Sequence, residues 1–152
     1  MFSRILYPTD FSGVSEKAAD YIQQLREAGA AEVIVLHVID SASLMAPTTP
    51  GVLGGIGATP ALNQRAIDDW RDSATAECSK LADAFTAAGF QARSIIDVGN
   101  PADVILRTAE EEGANVIVIG ATGKGHIAEL ILGSVSDTVI RRSHLPLLVI
   151  KP

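Results

Sequence analysis

Three short segments of this chain gather small, polar and glycine residues in patterns that suit phosphate chemistry. Pro8-Thr9-Asp10 follows one apolar run, Val38-Ile39-Asp40 ends a second, and Gly120-Ala121-Thr122-Gly123 follows another. Further on, Gly133-Ser134-Val135-Ser136 opens a stretch with helical patterning. At a helix start, unpaired backbone N–H groups and the helix dipole favour an anion. Glycine lets a phosphate come close to the backbone, because no Cβ stands in the way. Together these residue types point to a nucleotide or another phosphate-bearing ligand.

Other chemistries find less support. A Walker A loop would need Gly at 118 and Ser or Thr at 125, where the sequence has Val118 and Gly125. Gly123-Lys124-Gly125-His126-Ile127-Ala128 fits the loose dinucleotide pattern, yet it starts several residues after its strand and feeds no long helix at once. The serine-hydrolase elbow is missing. No Cys/His spacing suggests zinc. His37 stands among apolar strand residues and reads as a satisfied core or rim histidine, while His126 and His144 read as surface residues.

The elements that must position these segments alternate in type. Ile5-Leu6-Tyr7 reads as a buried strand. Ser12 offers a helix cap, and Val14, Ala18, Ile22 and Leu25 share one helical face that Gly29 ends. Val33 to Ile39 is a continuous, β-branched run suited to a strand covered on both faces. Residues 41–61 hold no charge and are broken by Pro47, Pro50, Pro60 and four glycines, which reads as one long mobile loop. A long helix follows over about 62–88. Its stripe of Ile67, Trp70, Ala74, Cys78, Leu81 and Phe85 is expected to pack inward, with Cys78 a small buried hydrophobe and Trp70 in the core or against the loop. Residues 92–98 form a weaker strand. Asn100-Pro101-Ala102-Asp103 combines a cap, a first-turn proline and an acid at the positive end of the dipole. Val116 to Ile119 is another buried strand, residues 135–142 form a helix with Ser134 as its expected N-cap, and Leu147 to Ile150 form the last strand after Pro146.

Strands separated by helices imply an α/β domain with a parallel sheet and helices on both faces. Ligands of such open sheets bind beyond the carboxyl ends of the strands, where the strand order reverses.

Composition narrows the function classes. The 152 residues suit a single domain, 47% of them are apolar, and 12 Lys+Arg against 18 Asp+Glu give a net charge of −6. A chain of that size and make-up can bury a full core. The acidic balance argues against a nucleic-acid binder, which needs a basic face. No apolar run reaches the length of a membrane span, and the opening residues lack the pattern of a signal peptide. With Cys78 alone there is no intrachain disulfide, so a cytoplasmic setting is expected.

The ordered set of features resembles the nucleotide-binding branch of the universal stress protein family. It comprises the strand ending in Pro8-Thr9-Asp10, then Gly120, two residues, Gly123, nine residues, Gly133-Ser134-Val135-Ser136, and the proline-led last strand. The resemblance covers nearly the whole chain. It implies a single-domain, Rossmann-like fold of the adenine nucleotide alpha hydrolase type, with a five-stranded parallel sheet in the order 3-2-1-4-5. It also implies ATP or AMP as ligand, with Mg accompanying ATP. Carried over, Asp10 would stand beside the nucleoside and a nucleotide-bound metal, with Pro8 and Thr9 shaping its turn. Val38 would meet adenine through its backbone, Gly120, Ala121, Thr122 and Gly123 would line ribose and phosphates, and Gly133, Ser134, Val135 and Ser136 would hold phosphate. Many members have a histidine where Thr122 stands and an arginine where Lys124 stands. Without that ring there is one phosphate contact fewer, and Lys124 keeps the charge but loses the fork geometry.

Three functional readings follow: a nucleotide-responsive regulator acting through a protein partner, a slow ATPase, and a nucleotide-free interaction module. The retained glycines argue against the third. Asp10 has an alternative as a cap for the first helical turn. Hydrolysis is expected to be weak at most, because neither a Walker lysine nor an arginine finger is evident. The apolar last strand is expected at a sheet edge, where it would pair with its copy in a homodimer, as family members commonly do, the alternative being an edge covered by its own chain.

Overall fold

The computed structural model describes residues 1–45, 60–121 and 132–152. Its elements run β1 (Arg4–Pro8), α1 (Gly13–Gln24), β2 (Glu32–Asp40), α2 (Ser41–Met45), α3 (Pro60–Ala87), β3 (Gln91–Gly99), α4 (Pro101–Glu111), β4 (Val116–Gly120), α5 (Ser134–Arg142) and β5 (Leu147–Ile150). The five strands form one sheet in the order β3-β2-β1-β4-β5, every pair parallel. This is the expected Rossmann-like α/β architecture.

Local chemistry sets the helix limits. Ser12 caps α1, its hydroxyl accepting from Ser15 N. Asn100 caps α4 by accepting from Asp103 N at 3.1 Å, with Pro101 in the first turn. The turns after α1 and α3 run through Gly29 and Gly89 at φ +95° and +94°, a left-handed conformation that costs glycine little.

Side chains alternate across the sheet and build a core on each face. Ile5, Tyr7, Val33, Val35, Val116 and Val118 meet Ala18, Ala19 and Ile22 of α1 and Cys78, Ala82 and Phe85 of α3. Leu6, Ile34, Leu36, Ile117 and Ile119 meet Ala102, Ile105 and Ala109 of α4 and Val139 of α5. Burial pushes the Cys78 thiol up to about 11, with Glu77 adding to the effect, so it behaves as the small hydrophobe expected.

Two expectations need correction here. Residues 41–45 are helical rather than loop, because Asp40 Oδ1 accepts from Ala42 N at 2.9 Å and starts α2 at once. Residues 46–59, the rest of the expected mobile loop before α3, lie outside the described residues. Of the two places expected for Trp70, the core is ruled out, since it is 45% exposed while Ala74, Cys78 and Phe85 of the same stripe are buried; most of the loop that is its other expected neighbour lies outside the described residues. Among the described residues, no helix is long and apolar enough to cross a membrane.

Candidate functional site

At the carboxyl ends of the strands lies a crevice of about 740 Å³, within the size range of small-molecule sites. It is lined by nine of the twelve predicted residues: Pro8, Thr9, Asp10, Val38, Gly120, Gly133, Ser134, Val135 and Ser136. Thr122 and Gly123 lie outside the described residues, as does Lys124. Ala121 is buried and has both backbone groups engaged, its N–H donating to Ile150 O at 2.7 Å and its carbonyl accepting from Gly133 N at 2.9 Å.

The turn after β1 is held by side chains. Thr9 N donates to Leu36 O at 2.8 Å, the last link to β2. Thr9 Oγ1 accepts from Phe11 N at 3.0 Å and from Ser15 Oγ at 2.6 Å. Below it, Tyr7 Oη donates to Ser15 O at 2.6 Å, and burial holds that phenol above its ordinary pKa. Asp10 Oδ1 accepts from Ser12 N at 3.0 Å. Asp10 therefore orders the turn ahead of the helix, while the cap itself is Ser12. Under these constraints Phe11 takes φ +61°, an uncommon value for a non-glycine residue.

β2 runs on beyond β1. Pairing of the two strands ends at Pro8↔Leu36, but β2 continues beside β3 to Asp40↔Gly99. Leu36 O faces β1, so the two-residue repeat turns the N–H and C=O of Val38 to the same side, above the end of β1. No backbone group among the described residues takes them up. A donor and an acceptor are thus presented side by side, the pattern that reads the edge of a planar base.

Across the crevice stands the start of α5. Gly133 is the N-cap and makes no side-chain cap bond, so the expected cap at Ser134 is corrected: Ser134 is the first helical residue and is exposed. Gly133 N is tied to Ala121 O and Gly133 O accepts from Asp137 N, which starts the helix ladder one residue earlier than expected. The amides of Ser134, Val135 and Ser136 are first-turn donors without intrahelical acceptors. Ser136 Oγ donates to Gly120 O at 2.7 Å, joining the end of β4 to α5. A Cβ at Gly120 would lie 3.0 Å from Val14 Cγ1 and 3.4 Å from α1 backbone atoms, so β4 and α1 meet this closely only around glycine.

Sequence reasoning missed several crevice residues. His37, Phe11, Ser73, Glu77 and Trp70 line it from the side of α1 and α3, and Pro101 and Ile105 from α4. Position gave an advance signal for His37, Phe11 and Pro101, which stand at strand or helix ends, while Ser73, Glu77 and Ile105 lie inside helices and carried none.

The fold and this crevice define a doubly wound α/β protein with an open crevice at its topological switch point. The profile of the Universal stress protein family matches residues 1–151, and the chain belongs to that family. Universal stress protein MJ0577 of Methanocaldococcus jannaschii is 34% identical over 155 residues, covering 99% of this chain and 96% of that one. The solved structure of MJ0577 superposes with a TM-score of 0.86 at 32% identity, covering 100% of this chain and 97% of that one. Two more distant structures share the fold. One is a universal stress protein in complex with cAMP (TM-score 0.64, 24% identity, 99% and 97% covered), and the other an Arabidopsis thaliana family protein with AMP bound (TM-score 0.63, 16% identity, 98% and 91% covered).

Proposed function

We propose that the crevice binds an adenine nucleotide, ATP or AMP, and that occupancy makes the protein a nucleotide-responsive regulator in stress response, acting through a protein partner in the cytoplasm. The observation that carries this reading is the opposition of two sets of uncommitted backbone groups: the Val38 N–H and C=O above β1, and the first amides of α5. One set suits a base edge and the other a phosphate. Asp10 lies between them, beside the sugar and any Mg that accompanies ATP. Thr122 and Gly123 belong to the phosphate side of the proposed site by the family motif. The AMP and cAMP complexes of related proteins support the ligand class.

Saturating ATP, ADP or AMP is expected to raise the melting temperature. At one hundred times Kd the gain is about 2.7 kcal/mol, or roughly 5–10 °C for a domain of this size. Trp70, the only tryptophan of the chain, lines the crevice half-exposed, so its emission should change in the same titration. No melting shift at millimolar nucleotide would sink the reading.

We place self-association at β5. It lies at the sheet edge, hydrogen-bonded to β4 alone, and carries Leu147, Leu148 and Val149 half-buried. Such an edge is a template for a second copy of the strand across a two-fold axis. Sedimentation equilibrium should give twice the chain mass, and a monomer at all concentrations would overturn this assignment.

A further inference from the structure

His37 was read from sequence as a satisfied histidine, and its geometry assigns it more. Its Nδ1 lies 2.8 Å from the carbonyl oxygen of Thr9. A carbonyl only accepts, so Nδ1 must carry the proton. With Nδ1 so engaged, the imidazole tautomer has Nε2 as its acceptor. The ring cannot turn away easily, because it stacks on Phe11 at 4.6 Å between centroids and 23° between planes. Nε2 meets no partner among the described residues, and no buried side-chain nitrogen or oxygen there goes unpaired, so the atom is open to the crevice that His37 lines.

The surroundings orient whatever binds. No lysine or arginine lines the crevice among the described residues, so the donors there are backbone amides and hydroxyls. Near the ends of β1 and β2 the charged groups are carboxylates, Asp10 and Asp40, with Glu77 on α3. That end repels phosphate and rewards hydrogen-bond donors, whereas the first turn of α5 does the reverse. The ligand's donor-bearing part therefore lies toward His37.

We propose that His37 Nε2 accepts a hydrogen bond from the base of the bound nucleotide and selects purines with an amino group at position 6 over those with an oxo group. This rests on the nucleotide reading above and adds a selectivity residue to it. An oxo oxygen set against the Nε2 lone pair leaves two acceptors facing each other without a proton.

The test is calorimetric binding of ADP and IDP to the full chain and to His37→Phe, which keeps an aromatic ring to stack on Phe11. The wild type should prefer ADP, and the variant should lose about fivefold to tenfold of that preference, the worth of one hydrogen bond, keeping only the part that the Val38 backbone supplies. The ratio is insensitive to any general weakening from loss of the Thr9 contact, because that contact serves both ligands equally. As a second measurement, the His37 Nε2 nitrogen resonance should move on adding ADP and stay in place on adding pyrophosphate. An unchanged ADP/IDP ratio in the variant, or an Nε2 resonance unmoved by ADP, overturns the proposal while leaving nucleotide binding standing. If the wild type binds neither nucleotide, the broader reading fails and this one falls with it.

Discussion

Phe85→Ala is expected to cost about 3–5 kcal/mol of folding stability, the range for deleting a large buried aromatic. That is a large share of the roughly 5–15 kcal/mol that holds an ordinary domain together. Phe85 is 1% exposed and packs edge-to-face on Tyr7 at 5.9 Å and on Phe90 at 5.8 Å. Such aromatic pairs add about 0.5–1.5 kcal/mol each beyond area burial. The ring joins α3 to β1, and Tyr7 in turn carries the hydrogen bond to Ser15 beneath the Thr9 turn. A cavity at Phe85 would thus slacken the support of the crevice as well as the core. Urea denaturation should show the loss as a fall in midpoint at unchanged slope. Tyr21→Ala, at a position 42% exposed, should stay within about 0.5 kcal/mol of the parent. A Phe85→Ala protein as stable as that control would show that α3 is not a structural part of the core.

Much of this architecture is legible in the residues, for identifiable reasons. Val33 to Ile39 and Val116 to Ile119 are too short for helices and too uniformly apolar for a one-sided strand, and both lie buried between helical layers except for half-buried His37 and Val38 at the crevice. Ser12, Asn100-Pro101 and the glycines at 29 and 89 act within a few residues of where they stand, so local chemistry suffices to place them. Trp70 shows where that logic stops. Periodicity puts it on the inward face of α3, but a 28-residue helix is about 42 Å long, and a nine-residue strand spans only about 30 Å. The helix overshoots the sheet, and Trp70 stands at the crevice beyond the core. Ser134 failed for a different reason. Ser134 and Asp137 have capping-box spacing, yet a long-range bond from Gly133 N to Ala121 O decides where the ladder begins. His37 depended on a fact about its neighbour: β1 pairs with β2 only as far as Leu36, one residue before His37, and no pattern within β2 encodes that.

The same geometry sets the outcome at Asp10, where two effects of opposite sign compete. Asp10→Asn keeps an Oδ1 to accept from Ser12 N, so the turn and the fold should survive with little change in melting temperature. What disappears is the charge. If the carboxylate accepts from a sugar hydroxyl, its loss removes a charge-assisted hydrogen bond worth about 1.5–3 kcal/mol. If it merely faces phosphates across the crevice, its loss relieves repulsion, which through water at about 8 Å amounts to only about 0.5 kcal/mol. The hydrogen bond wins, and affinity for AMP should fall about tenfold or more. Calorimetry with AMP isolates the sugar contact, because AMP needs no Mg; repeating it with ATP, with and without Mg, then measures any part the carboxylate plays toward the metal. Tighter AMP binding by Asp10→Asn would mean that the phosphate lies at the β1 end and the base at α5, the reverse of the orientation that the carboxylates and the α5 amides imply.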